Sequence, residues 1–330
     1  MNTTPTALIP PPEIATAAPV AAAPASDAMP STHPAGITPL EPARARSRVR
    51  ARLALEFAHD AEAGCTRLRA SHQDPPLKVV RTFPAADGAA LVHLHNVSGG
   101  LLGGDELSLN VNLAPASTVQ LTTTGATRVY RPRMTAAPTR QTNEITVAEN
   151  ALLEYVPDPI IPYTGARFSQ RTTINLSSGA GLFWWEILGP GREAHGEVFQ
   201  YESIELKTDI TAHGRPICSE RVRLEPRQQD LRSQARLGNY RYWATFYICR
   251  VGIEPGAWRA LGDRIRDQSA ALKPPAAEAR WGVSTLPSDG LVIRGMARHG
   301  RDAQAGLLAF WRVAKLALYS REPVPPRKVN

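Results

Sequence analysis

The chain has 330 residues, a formal net charge of +8 at pH 7 and 43% hydrophobic residues. This composition is typical of a globular protein and allows one large domain or two modest ones. No run of 18 apolar residues occurs, so we expect no membrane-spanning helix. The positive charge favours an acidic partner. Because the arginines are scattered through predicted strands and not clustered with aromatic residues, we expect a protein partner and no nucleic acid.

The first 46 residues differ in composition from the rest, since Ala, Pro, Thr and Ser dominate them. Such a segment cannot bury enough apolar surface to offset the entropy lost on ordering. It also lacks the basic start and apolar core of a signal peptide. We therefore predict a disordered tail over residues 1–46, of which the part before Arg44 is dispensable for function, and one domain over residues 47–330.

The segment from about residue 47 to 252 is dominated by apolar residues that alternate with polar ones. Leu107, Leu109 and Val111, for example, alternate with Ser108 and Asn110. This period of two, interrupted by turn residues, predicts a large, mainly β body. The predicted strands are 50–57, 77–83, 89–95, 107–113, 117–124, 145–147, 151–156, 170–176, 182–188, 198–210, 217–224 and 240–251.

The C-terminal part, about residues 253–330, follows a different pattern. Apolar residues recur at helical spacing over Pro255–Leu272 and again over Asp302–Tyr319, where Asp302 is the predicted N-cap. The segments 281–286 and 289–295 between them predict a short hairpin. We therefore expect two α-helices and a hairpin attached to the β body.

The three cysteines, Cys65, Cys218 and Cys249, are far apart in the sequence and form no Cys-x-x-Cys pair. Their odd number and spacing argue against a disulfide framework and against a zinc finger. We therefore expect a reducing, cytoplasmic environment.

The most distinctive segment is Asn96–Asp105, in which two glycine pairs flank two leucines. A phosphate-binding P-loop requires a lysine and a hydroxyl residue after the last glycine, but Asp105 stands there. A dinucleotide-binding fingerprint requires a following helix, whereas a strand is predicted here. The residues alone therefore favour a plain hairpin turn that carries one buried or partly buried acid.

Together with a second segment, Thr122 to Arg131, this segment resembles the UreD (UreH) family of urease accessory proteins. That family carries Pro-Gly-Gly, two apolar residues and Gly-Gly-Asp, and then a Thr-rich run that ends Gly-Ala-(Ser/Thr)-(Lys/Arg)-x-Tyr-Arg. Ser98 replaces the proline. The matching residues are Gly99, Gly100, Gly103, Gly104, Asp105, Thr127, Tyr130 and Arg131.

Further blocks resemble the same family in the same order and extend the resemblance from about Arg50 to Val329. Two of them depart from its pattern: Lys328-Val329 stands for Ile-Trp, and Val156–Pro159 stands for Leu-Pro-Gln. The matching blocks are Leu153–Pro157, Tyr163–Ala166, Gly181–Gly191, Gly196–Phe199, Arg215–Arg221, Trp311-Arg312 and Pro326-Arg327.

The resemblance implies a fold and a function. It implies a β-helix-like body of stacked sheets, and a non-enzymatic chaperone that helps to insert nickel into urease apoprotein through an internal path. The implied partners are UreF, the GTPase UreG and urease apoprotein, with nickel supplied through the metallochaperone UreE. No permanent cofactor is expected, only Ni2+ in transit. The alternative is a standalone β-sandwich binding module, which would need an exposed aromatic platform at Trp184-Trp185.

The residues themselves are consistent with a non-enzymatic role, because no G-x-S-x-G, H-E-x-x-H or EF-hand motif occurs. Four acids lie in or beside apolar stretches: Asp105, Glu154, Glu186 and Glu220. A buried carboxylate is costly unless it is paired or binds a metal. Taken singly, each acid is explained by an ion pair or by turn N–H groups, with Arg221 and Arg223 as candidate partners for Glu220. Taken together, they indicate a hydrated path that passes a divalent cation from site to site.

Three further side chains are candidates for transient nickel ligands. His93 and His95 lie two apart on one predicted strand face, and imidazole suits nickel, although plain strand histidines are the alternative. Cys218 would share a strand face with Glu220, and we interpret it as a core cysteine.

Overall fold

The computed structural model describes residues 49–85, 87–132, 137–272 and 278–326. The predicted tail lies outside these residues. The first strands in chain order are β1 (Arg50–Asp60), β2 (Cys65–Gln73), β3 (Leu77–Lys78), β4 (Thr82–Pro84), β5 (Ala90–Asn96), β6 (Glu106–Leu113), β7 (Thr118–Thr123), β8 (Thr127–Val129) and β9 (Thr139–Val147). The later elements are β10 (Leu152–Tyr155), β11 (Ile160–Pro162), β12 (Arg167–Leu176), β13 (Gly181–Leu188), β14 (Ser203–Ala212), β15 (Arg215–Leu224), β16 (Tyr242–Arg250), α1 (Pro255–Ala271), β17 (Arg280–Thr285), β18 (Gly290–Ala297) and α2 (Gly300–Tyr319).

The strands form two large sheets. The first has the order β15-β14-β12-β9-β6-β1-β2, and its inner five strands run parallel. The second has the order β17-β18-β16-β13-β10-β7-β5-β3, in which β5, β7, β10 and β13 run parallel. The mainly β fold with two late helices is confirmed.

The chain alternates between the two sheets and so winds in coils. Each coil contributes one strand to the second sheet and the next long strand to the first: β5 and β6, β7 and β9, β10 and β12, β13 and β14. The short parallel strands β8 and β11, with a bridge from Leu101 to Val129, form a narrow third face. The described part of the chain is therefore a short β-solenoid.

The winding also separates strands that are neighbours in the sequence. Strands β6 and β7 follow each other across Ala114-Pro115-Ala116, but they belong to different sheets and do not pair. The predicted plain hairpin at the glycine segment is wrong for the same reason, since Asn96–Asp105 connects β5 of the second sheet to β6 of the first. The alternation in β6 was read correctly, because Leu107, Leu109 and Val111 point into the buried interior.

Both helices pack on the outer face of the second sheet. Their apolar stripes, which include Trp258, Leu261, Leu307 and Trp311, bury the outward residues of β13, β16 and β18. Every residue of β13 is therefore buried, since alternate side chains face the solenoid interior and the helices.

The N-terminus of α2 differs from the prediction by a few residues. The N-cap is His299 and not Asp302, which stands at the third helical position. The Asp302 carboxylate accepts a hydrogen bond of 3.2 Å from the His299 N–H, which completes a capping box. Neither helix of the described chain is long and apolar enough to cross a membrane.

Candidate functional site

The two glycine-rich motifs pack against each other at one corner of the solenoid. The Leu101 N–H donates to the Arg128 carbonyl at 2.8 Å, and the Tyr130 N–H donates to the Leu101 carbonyl at 2.8 Å. A Cβ on Gly100 would lie 2.4 Å from the Tyr130 ring, and a Cβ on Gly103 would lie 2.1 Å from the Pro132 Cα. These glycines are required because backbone and ring approach them too closely for any side chain.

Two other glycines of the motif are required for their backbone conformation. Gly99 has a φ of 77° and Gly104 has a φ of 91°, a region that residues with a side chain rarely adopt. Beside them the Tyr130 ring packs edge-on against the Tyr163 ring. The Arg192 guanidinium lies over the Tyr163 ring, 4.4 Å from its centroid. Arg131 is exposed at the end of the motif.

We expect Gly103→Ala to destabilise the protein by about 1–3 kcal/mol, because the added methyl group meets backbone that cannot move aside. Gly125→Ala is the matched control, since a Cβ there meets no atom within 4 Å. Urea unfolding of both variants measures the difference. Equal stability of the two variants would contradict the close approach at Gly103.

Asp105 holds the glycine turn. Its side chain is buried, and its Oδ2 accepts a hydrogen bond of 2.9 Å from the Leu102 N–H. Burial raises the pKa of the carboxyl, while hydrogen bonds from the Leu102 and Val49 N–H groups oppose that rise. These contacts match the turn N–H groups that the sequence analysis gave as an alternative to metal binding.

Glu186 lies between the two sheets. Gln170 of the first sheet donates from Nε2 to Glu186 Oε1 at 2.6 Å. Burial raises the pKa of Glu186 to about 7, against hydrogen bonds from Trp184 and Gln170, and the nearby Glu220 raises it further. The Trp184 indole N–H has no partner of standard geometry, so its hydrogen bond to Glu186 is a weak one. At neutral pH the Glu186 carboxyl is thus close to the midpoint of its titration.

Two neighbouring cavities, which share three lining residues, lie between the glycine corner and Glu186. The larger, of about 260 Å³, is lined by His95, by the exposed Gly99 and Gly125 and by inner residues of both sheets. The smaller, of about 30 Å³, is lined by Gln170 and Glu186 and has room for about one water molecule. The residues that line both cavities are Thr127, Gln141 and Tyr155.

Glu220 lies between the two sheets, near β15 of the first sheet and β18 of the second. Its partner is neither Arg221, which pairs with Asp209, nor Arg223, which pairs with Glu225. Instead Arg294 donates from Nε to Oε1 at 3.0 Å and from NH2 to Oε2 at 2.8 Å. The Tyr247 hydroxyl donates to Oε2 at 3.2 Å.

Glu154 points away from Glu186, towards helix α2. Its Oε1 lies 2.6 Å from Lys315 Nζ, and both side chains are 1% exposed. Asp87 Oδ2 lies 3.6 Å from the same ammonium group. Burial raises the pKa of Glu154, and Lys315 opposes that rise. This carboxylate is therefore held in a buried ion pair outside the interior cavities.

The remaining candidate ligands are partly buried on β5. His93 packs edge-on against Phe83, with ring centroids 5.8 Å apart, and His95 lines the larger cavity. Among the residues that the structure describes, no three His, Cys, Asp or Glu side chains are grouped closely enough to hold a metal ion. The metal role of Asp105, Glu154, Glu186, Glu220 and His95 stays a prediction.

Sequence reasoning missed several partners of these acids. The sequence does mark Gln170, because this polar residue lies on the same face of β12 as the apolar Phe168 and Ile174. The sequence also marks Lys315, because this charged residue follows Trp311 by four positions and so falls in the apolar stripe of α2. Arg294 had the same kind of signal as Gln170, because it falls between Val292 and Met296 on one face of β18.

The paired sheets, the glycine corner and the acids enclosed between the sheets belong to a short parallel β-solenoid that carries two helices on one outer face. The profile of the family described as "UreD urease accessory protein" matches residues 49–330. The chain belongs to the UreD family of urease accessory proteins.

Individual relatives support the same assignment. UreD of Herpetosiphon aurantiacus is 45% identical over 282 residues, which cover 86% of this chain and 97% of that protein. UreD of Pseudomonas aeruginosa is 33% identical over 274 residues, covering 83% and 92% of the two chains. UreD of Lysinibacillus sphaericus is 31% identical over 234 residues, covering 69% and 87%.

The alternative of a standalone β-sandwich binding module lacks the exposed aromatic platform that it requires at Trp184-Trp185. Trp184 is 0% exposed and Trp185 is 2% exposed, so neither indole forms a surface platform. The two rings face opposite sides of β13, with Trp184 in the interior and Trp185 against α2.

Proposed function

We propose that this chain is a non-enzymatic chaperone and scaffold of urease maturation, and that Ni2+ passes through its interior on the way to urease apoprotein. The observation that carries the proposal is a pair of neighbouring cavities, one at the exposed Gly99 and Gly125 and the other at Glu186, with three lining residues in common. The larger cavity supplies the imidazole of His95, and the smaller supplies a carboxylate. Both groups are ligands for nickel.

The protonation of Glu186 suits a transient site. A carboxyl with a pKa of about 7 exchanges its proton readily at neutral pH, so a divalent cation competes with that proton. Transport through a protein needs binding that is favourable enough for entry and weak enough for exit. A single partly protonated carboxylate, with Gln170 and Tyr155 as neutral neighbours, meets both conditions better than a full set of ligands would.

The partners in this proposal are UreF, UreG and urease apoprotein, with nickel delivered through UreE. GTP hydrolysis belongs to UreG, because this chain has no P-loop sequence. The cytoplasm is the proposed location. The chain itself contributes the scaffold and the path, and nickel is its cargo and not a resident cofactor.

Glu186 and Glu220 are the acids that we place on the path, because both lie between the sheets. We expect Glu186→Gln and Glu220→Gln to lower the nickel content of urease co-expressed with the complete accessory set, while the accessory complex still forms. Gln keeps the size of each side chain but cannot supply a negative charge to a cation.

The assay is a pull-down of urease followed by metal analysis. Glu56→Gln is the matched control, since Glu56 is exposed on the outer face of β1. Wild-type nickel loading in both interior variants would refute the path. A loss of loading in the control as well would show a general effect of removing charge.

A further inference from the structure

The pair formed by Glu220 and Arg294 closes one end of the interior. Both carboxylate oxygens are engaged by the guanidinium group, at 3.0 Å and 2.8 Å. The Glu220 side chain is 11% exposed, whereas the Arg294 side chain is 47% exposed. The carboxylate is therefore enclosed, while its cationic partner reaches into solvent.

The groups that face this pair come from every neighbouring strand. Cys218 lies on the same strand as Glu220. Thr208 of β14 is the residue paired with Glu220 across the two strands. Tyr247 of β16 donates its hydroxyl to Glu220, and Glu186 lies near enough for the two carboxylates to repel each other. Arg294 is the cation that balances the charge of Glu220.

We infer that Arg294 is a resident counter-ion that occupies Glu220 in the free chain and must be displaced before a divalent cation binds there. This inference rests on the proposed nickel path, of which Glu220 would be the gated site. A bidentate guanidinium fills the same oxygen positions that a metal ion needs. Arginine also stays charged at any physiological pH, so only movement of the side chain frees the carboxylate.

The exposure of Arg294 makes such movement feasible. Its half-exposed side chain can turn outward without leaving a cavity in a packed core, whereas Glu220 has no outward route. A carboxylate on a partner protein docked beside β18 would give the guanidinium an alternative ion pair. Under this inference, docking of an acidic partner would release the interior carboxylate.

The test uses the full chain and Ni2+ alone, with isothermal titration as the readout. We expect Arg294→Gln to bind Ni2+ about tenfold or more tightly than wild type, since a charge-assisted bidentate competitor is removed. Adding Glu220→Gln to this variant should abolish the gain. Arg294→Lys keeps the positive charge but loses the bidentate geometry of the guanidinium, so its Ni2+ affinity should fall between those of wild type and Arg294→Gln. This variant replaces Arg294→Gln in the test if Arg294→Gln does not fold.

The matched control is Arg312→Gln. Arg312 forms a bidentate pair with Glu322 on the exposed side of the protein, at 2.9 Å and 2.8 Å. Releasing that carboxylate should leave nickel affinity unchanged. Wild-type affinity in the Arg294 variants, or a gain that survives Glu220→Gln, overturns the inference. Metal analysis of co-expressed urease tests the proposed path separately, because it can fail while the titration still shows competition at Glu220.

Discussion

Lys315→Met is expected to destabilise the protein by about 3–5 kcal/mol at neutral pH, because it leaves a buried carboxylate without its counter-charge. Met nearly preserves the volume of the side chain, so the effect isolates the charge. Glu154 is 1% exposed, and its Oε2 has no hydrogen-bond partner of standard geometry. Removing Lys315 would leave Glu154 next to Asp87 with no cation between them.

Urea unfolding at pH 8 and at pH 5 measures this effect. The pKa of Glu154 is raised by burial, so the unpaired carboxylate regains a proton as the pH falls. We therefore expect a smaller loss of stability at pH 5 than at pH 8. Combining Lys315→Met with Glu154→Gln should restore part of the stability, since an amide replaces the unpaired charge.

The matched control for Lys315 lies one turn earlier on the same helix. Arg312 is 64% exposed and pairs with Glu322 at the surface, so Arg312→Met should cost less than about 1 kcal/mol. A similar loss in both variants would show that the helix is sensitive to any lost cation. A negligible loss for Lys315→Met would show that Glu154 finds another partner or water.

Glu186→Gln is expected to raise the stability of the chain above pH 7 and to flatten its pH dependence. The pKa of Glu186 is about 7 in the folded protein, against an ordinary value of 4.5. The folded state therefore holds this proton more tightly than the unfolded state, and stability falls as the pH rises from about 4.5 to 7. A pKa shift of this size lowers the free energy of unfolding above pH 7 by on the order of 3 kcal/mol.

The measurement is the free energy of unfolding between pH 5 and pH 8. Wild type should lose stability over this range relative to the variant, and the two should converge at the acid end. The variant that is expected to load less nickel would thus be the more stable protein. Parallel pH profiles for both proteins would contradict a buried, proton-holding carboxyl at Glu186.

The sequence predicted both helices and most of the strands, but not their arrangement. It missed β2, whose side chains are mostly exposed, and predicted only the end of β9. Alternation in β6 showed that one face is buried, yet it contains no information about which strand lies beside it. A solenoid and a series of hairpins give the same period of two, so β6 and β7 could not be assigned to different sheets. The helices were predicted closely because helical periodicity is a property of a single segment.

The acids were found from the sequence, but their partners were not. Glu154, Glu186 and Glu220 stood out because each interrupts an apolar stretch. Their partners Lys315, Gln170 and Arg294 are brought to them by sheet pairing and helix packing, and distance along the chain does not reveal those contacts. Of the three acids, only Glu186 and Glu220 share the interior, and the alternation in β10 and β13 could not show which face was inner.

The coiled course of the chain also limits how the family can change in length. Inserting one residue within β13 would turn Glu186 towards the helices and Trp185 into the interior, because side chains alternate along a strand. An insertion at a corner, such as the segment 189–202 between β13 and β14, leaves the phase of both strands intact. Insertions and deletions among relatives should therefore accumulate at the corners of the coils. Adding or removing a whole pair of strands, one from each sheet, would be tolerated better than adding a single residue within a strand.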